Sequence, residues 1–168
     1  MADASKMIPH IKKWEGGYAN DADDKGGCTM MGVTIGTYRR YYGANKTCAD
    51  LQRISNAEWL HIFKNGYWGK MKADQIRNQS IAELCVDMCW VSGEIAIKKI
   101  QQVLGVTADG IVGSRTLAAL NGGDQRVLFE KLWQMRAQWL VQISYNGNNR
   151  KFLRGWLARL VDLSFSKY

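Results

Sequence analysis

Proline is nearly missing from this chain: among 168 residues only Pro9 is one. Proline fixes φ and interrupts helices, so its scarcity leaves long stretches free to wind, and a mainly helical protein is the first expectation. No run approaches the roughly 18 apolar residues that a membrane span requires. The stretch Met1 to Lys13 has neither an apolar signal core nor a small-residue cleavage motif, so the expectation is synthesis in the cytoplasm without a standard signal peptide. Low-complexity segments are missing, as are repeats with a period of about 20 to 50 residues. The four cysteines, Cys28, Cys48, Cys85 and Cys89, fit no zinc-ligand spacing. No metal and no cofactor is expected. A cytoplasmic origin favours reduced thiols, and Cys85 and Cys89, four apart, read as small apolar packing groups.

Acid is scarce relative to base. Fifteen Asp and Glu face 23 Lys and Arg, for a formal net charge of +8. That balance favours a polyanionic partner: nucleic acid, an anionic membrane surface or acidic wall polymer. Nucleic acid is disfavoured, because no helix-turn-helix signature stands out and no basic run is interleaved with aromatics. Apolar residues make up 46%, enough for a sizeable core. The length suits one compact domain, or a catalytic lobe with a small appended lobe.

Periodicity places the elements. Met7, Ile8, Ile11 and Trp14 recur at helical spacing over Ser5 to Glu15, with Pro9 near the first turn and Gly16-Gly17 as the stop. Tyr18 to Thr34 is rich in Gly, Asp, Asn and Thr and reads as a loop with a small β-hairpin; Gly26-Gly27 and Gly32 permit its tight turns. Thr34 caps a helix to about Tyr42, stopped by Gly43. Ser55 and Glu58 form a capping box. Ser80 is expected to cap a central helix, apolar nearly all round, that ends at Ser92-Gly93. Further helices are expected over Glu94 to Leu104, Ser114 to Leu120 and Asp124 to about Tyr145. A last amphipathic helix carries Phe152, Trp156, Leu157 and Leu160. The total is seven or eight helices and one hairpin.

Chemistry gathers around Glu15. A carboxyl at a helix C-terminus meets the negative end of the helix dipole, and the neighbouring Trp14 removes water from it. Both effects raise a carboxyl pKa, as a general acid requires. The adjacent glycines let a substrate approach closely. Asn20, Asp21, Asp23 and Asp24 follow within ten residues, and Thr29 comes soon after. Inverting glycosidases pair a protonated carboxyl with a carboxylate roughly 6.5 to 9.5 Å away, and a helix-end Glu facing a hairpin Asp would build that gap. Asp21, Asp23 and Asp24 do not form a calcium loop, whose residue order and terminal Glu are missing. Tyr18, Tyr67, Trp68 and Trp90 are candidates to stack on sugar faces, Tyr18 foremost. Asp87, inside the apolar central helix, requires a buried partner such as an Arg.

Glu15-Gly16-Gly17-Tyr18, Asn20-Asp21, Asp24, Gly26-Gly27, Thr29 and Gly32-Val33-Thr34 together resemble the signature of glycoside hydrolase family 108, the N-acetylmuramidases found as phage-type lysins and secretion activators. The spacing of Glu15, Asp24 and Thr29 is also similar to the wider phage-lysozyme pattern. The resemblance implies a mainly α, lysozyme-like fold with a small N-terminal hairpin beside the active site. It implies Glu15 as catalytic acid, Asp24 as the group that activates water or stabilises charge on the sugar, and Thr29 as a positioner of that water. Tyr18, Asn20, Asp21, Trp90 and Ser92 would contact substrate, with Asp21 or Asp23 as alternatives to Asp24. Val91 departs from the family, which usually carries Asn there.

The second half resembles a predicted peptidoglycan-binding region, through Ala96 to Val106, Asp109-Gly110, Gly113, Thr116, Leu117 to Leu120 and the closing Phe152, Gly155-Trp156-Leu157 and Arg159. The expected organisation is a catalytic lobe over 1–93 and a helical lobe over 94–168, packed into one unit. The implied activity is cleavage of the glycan backbone between N-acetylmuramic acid and N-acetylglucosamine. The implied partners are peptidoglycan glycan strands, with a holin or secretion machinery supplying passage to the wall or periplasm. A non-catalytic peptidoglycan-binding module and a basic nucleic-acid-binding protein are the alternatives.

Overall fold

The computed structural model describes residues 1–20 and 27–165. Nine α-helices lie among them: α1 (Ala4–Trp14), α2 (Ile35–Tyr42), α3 (Cys48–Gln52), α4 (Asn56–Phe63), α5 (Gln79–Ser92), α6 (Glu94–Leu104), α7 (Ser114–Leu120), α8 (Gln125–Ser144) and α9 (Leu153–Val161). The only strands among the described residues are β1 (Thr29–Met30) and β2 (Val33–Thr34). The expected fold class, mainly α with one small hairpin, is the observed one. The chain divides into two compact units, Ser5–Gly66 and Met1–Ala4 with Tyr67–Tyr168.

In the first unit, Thr29 pairs with Thr34 and Met30 with Val33, antiparallel. The two-residue connection has positive φ at both positions, 49° at Met31 and 76° at Gly32. This pattern matches the twist of a tight hairpin. Glycine adopts it freely; Met31 does so at a steric cost, and its carbonyl is held by the indole N–H of the buried Trp59 at 2.9 Å. Thr34 ends the hairpin and caps α2, its hydroxyl accepting from the Thr37 N–H at 3.2 Å. Thr47 with Asp50 and Ser55 with Glu58 close reciprocal capping boxes on α3 and α4, and such a cap is worth roughly 1 kcal/mol. Met7, Ile11, Val33, Leu51, Ile62 and Phe63 of this unit are fully buried.

Pro9 lies inside α1 rather than in its first turn. The helix begins at Ala4, so proline removes the N–H that would reach the Ser5 carbonyl.

In the second unit, α5 packs against α6 and α8, and α8 carries α9. Every residue of α5 from Ser80 to Trp90 is buried, as its nearly continuous apolar sequence predicts. Asn78, not Ser80, caps it, accepting from the Ile81 N–H at 3.1 Å. Ser80 lies one residue past the helix start and is buried. Gly93 stops α5 with φ 58° and leads directly into α6, which packs on α5 within the same unit. The Asp109-Gly110 turn is clamped by Gln101, 1% exposed. The Gln101 amide donates to Asp109 Oδ1 at 2.8 Å, and its oxygen accepts from the Gly110 N–H at 2.8 Å.

Candidate functional site

Glu15 immediately follows α1, and its backbone N–H still reaches the Ile11 carbonyl at 3.1 Å. The residue is half-buried, so solvent reaches it. Trp14 before it is also half-buried, with the Lys13 ammonium 5.3 Å from its ring centre. The two glycines after it are exposed. Neither has positive φ, and a Cβ built on either would meet no atom within 4 Å. Their small size is required neither by backbone conformation nor by packing among the described residues.

Two residues further on, Ala19 pairs with Thr29: the Ala19 N–H donates at 2.9 Å and the Thr29 N–H returns at 2.8 Å. This bridge ties the loop after Glu15 to the first residue of β1. The unit Ser5–Gly66 thus holds Glu15, Tyr18, Asn20 and Thr29 together. Tyr18 is 37% exposed, Asn20 is exposed and Thr29 is half-buried. Asp21, Asp23 and Asp24, among them the expected second carboxylate, lie outside the described residues.

A disulfide joins Cys28 to Cys48, with Cα atoms 5.9 Å apart. This corrects the expectation that all four thiols are reduced. The chain segments around residues 28 and 48 meet through the packing of β1 on α3, a tertiary proximity that a spacing of 20 residues does not reveal. The bond clamps the residue just before Thr29 to the first residue of α3, and the Cys28 carbonyl accepts from the Ile35 N–H at 2.9 Å. Cys85 and Cys89 are free and buried. Burial raises the Cys85 thiol pKa strongly and pushes that of Cys89 to about 11. They are protonated, inert packing groups, as expected.

The remaining candidates belong to the second unit. Trp90 is 8% exposed, and its ring centre lies 4.4 Å from that of Tyr67, tilted by 53°. Ser92, the last residue of α5, is half-buried, and its Oγ accepts from Arg136 Nη1 at 3.4 Å. Sequence reasoning does not single out Arg136. It is buried, sits 4.7 Å from the Trp139 ring centre and has its pKa pushed down to about 10 by burial, an effect the charge of Asp87 opposes. It stays charged at neutral pH. Asp87 accepts from Arg159 Nε at 2.8 Å, with both side chains largely buried. This is the buried carboxylate–arginine link its position demands. Trp68 is removed from the sugar-stacking set: it is 2% exposed and its indole N–H donates to Asp74 at 2.7 Å. Val91, at the position of the family's Asn, is 46% exposed.

Among the described residues no group of three or more His, Cys, Asp or Glu is placed to hold a metal ion, and no helix is long and apolar enough to cross a membrane.

Comparison with known proteins bears on the whole chain. The family model described as glycosyl hydrolase 108 matches residues 8–93, which hold Glu15, the hairpin and Ser92. A second model, described as a predicted peptidoglycan domain, matches residues 95–161. The solved structure of SagA from Brucella abortus superposes with a TM-score of 0.85 at 29% identity, covering 98% of this chain and 95% of that one. No curated protein matches. The helical architecture and its small hairpin agree with that neighbour and with a lysozyme-like fold. The first model spans half of the chain, and on that match the protein belongs to the glycosyl hydrolase 108 family.

Proposed function

We propose that this chain is an N-acetylmuramidase that cleaves peptidoglycan between N-acetylmuramic acid and N-acetylglucosamine, with Glu15 as general acid. The supporting observation is the loop Glu15-Gly16-Gly17. A half-buried carboxyl is followed by two exposed glycines that the described protein has no steric need for. Two glycines where the fold demands none leave a backbone that an external molecule can approach closely. Glu15 would protonate the bridging oxygen as the glycosidic bond breaks. Asp24 would activate the attacking water or offset positive charge on the sugar, with Thr29 orienting that water. Tyr18, Asn20 and Asp21 would contact the glycan. The work would take place at the wall or in the periplasm after release from the cytoplasm, through a holin in lysis or beside a secretion machinery that needs the wall opened locally. A working place where disulfides persist accords with the Cys28–Cys48 bond.

Glu15→Gln is expected to abolish turbidity loss on purified peptidoglycan while leaving the helical circular dichroism unchanged. Full activity in that variant sinks the assignment. Mass analysis of wild-type products should show reducing-end N-acetylmuramic acid; reducing-end N-acetylglucosamine would instead indicate a glucosaminidase, and no products would favour a binding module. Asp24→Asn is expected to slow lysis more than Asp21→Asn or Asp23→Asn. A different ranking transfers the second role.

A further inference from the structure

The chain reversal between α8 and α9 presents aromatic rings and unpaired cations together. It begins at Tyr145 and passes through Gly147, with φ 55°, into a single tight helical turn over Asn149–Phe152. That turn packs on both α8 and α9, and the Asn149 amide donates to the Ile143 carbonyl at 3.1 Å, so the segment is held in place. Its outward side chains are of two kinds. Tyr145 is 74% exposed and Phe152 47%. Arg150, Lys151 and Arg154 are exposed and form no ion pair among the described residues. From Lys131 to Val161 the sequence holds no Asp or Glu, so neither α9 nor the adjoining part of α8 supplies a carboxylate to neutralise them.

We infer that this reversal is a docking surface for an anionic lipid membrane, with Tyr145 and Phe152 seated in the headgroup layer and the three cations against lipid phosphates. The partner is a different one from the glycan to which the match over residues 95–161 points. Aromatic rings settle at the boundary between headgroups and acyl chains, and each Lys or Arg beside an anionic leaflet strengthens binding about fivefold. Charge of one sign complements a phospholipid surface. It opposes a second copy of this chain, because a twofold contact would set like charges against each other. The Phe152 ring has Trp156 stacked on it, with centres 5.9 Å apart and planes tilted by 29°, and the Lys151 ammonium 4.9 Å from its centre. A ring flanked in this way offers no clear face on which a sugar or a nucleic-acid base would stack, whereas burial in a lipid interface requires only apolar bulk.

The test is cosedimentation of the full-length protein with vesicles of phosphatidylglycerol and phosphatidylcholine, beside vesicles of phosphatidylcholine alone. Binding is expected to the anionic vesicles only, and it should weaken as salt is raised. Arg150→Gln, Lys151→Gln and Arg154→Gln together should weaken it about a hundredfold, since three contributions of about fivefold multiply. All three side chains are exposed, so this variant is expected to keep its fold, its hydrolysis of soluble glycan fragments and its binding to lipid-free purified wall. Phe152→Ser should weaken vesicle binding about tenfold with the charges intact. Failure to bind the anionic vesicles overturns the inference, and so does undiminished binding by the triple variant. An equal loss of wall binding in that variant would make the surface a wall-binding face and overturn it as well. Tighter binding of a single-stranded oligonucleotide through the same residues, or dimerisation lost in Phe152→Ser with no response to vesicles, has the same consequence.

Discussion

Tyr38 and Glu58 share a contact that bears on the titration of both, behind a larger cause in each case. The Tyr38 hydroxyl donates to Glu58 Oε1 at 2.9 Å, while Glu58 Oε2 accepts from the Ser55 N–H at 2.8 Å. Burial, and then the bond to the carboxylate, push the phenol up to about 12. The Ser55 N–H, followed by the Ser55 hydroxyl and Tyr38, lowers the Glu58 carboxyl against a desolvation cost. Because the folded phenol titrates above its ordinary value near 10, its contribution to stability is complete below about pH 10 and is lost as pH rises through about 12. Absorbance titration of tyrosinate should therefore contain a component centred near 12 that vanishes in Tyr38→Phe; titration of every tyrosine near 10 in the folded protein would contradict the contact. At this scale the sequence is legible where chemistry is local. The need of Asp87 for a cation follows from a charge placed in an apolar run, and Arg159 meets it. Arg136 behind Ser92 and the loss of Trp68 to the core are not legible, since both depend on which helix lies against which.

Helix boundaries are the most readable feature at the level of elements. Thr34 and Ser55 with Glu58 cap the helices expected of them, and Gly43 and Gly93 stop theirs. A capping hydroxyl and a stop glycine act within one turn, so the information sits in adjacent residues. Helix α3 escapes a reading by pattern, although Thr47 and Asp50 form the same kind of box as Ser55 and Glu58. Five residues show too little periodicity to register, and the helix owes its place to β1 and the Cys28–Cys48 bond. That bond closes a loop of 20 residues, a size for which a crosslink is worth about 3 kcal/mol. Reduction, or Cys28→Ser with Cys48→Ser, should lower the unfolding temperature by several degrees and slow lysis. An unchanged melting curve in reductant would show that the crosslink contributes nothing to the hairpin's anchorage.

At the scale of the whole molecule, the two family matches meet at Gly93 and Ile95, whereas α5 belongs to the same compact unit as α6 to α9. Helix α5 is buried on every side and packs on α6 and α8. A fragment ending at Gly93 would retain the glycosyl hydrolase match yet strip those two partners from an apolar helix. It is expected to be insoluble or to bind hydrophobic dyes, in contrast to the full chain. A soluble, cooperatively melting 1–93 fragment would overturn this reading of the core. The contiguous residues around Glu15 can be singled out from sequence as a candidate site, whereas the meeting of β1 with α3 cannot, because folding alone brings those segments together.

The Cys28–Cys48 crosslink also bears on how the protein is prepared. A bacterial host whose cytosol keeps thiols reduced would deliver chains without the clamp next to Thr29. Enzyme purified that way could be well folded in its helices and still turn over slowly, and a weak assay would then report the redox history of the sample. Refolding with an oxidised glutathione buffer, or production in an oxidising compartment, should come before catalytic power is measured.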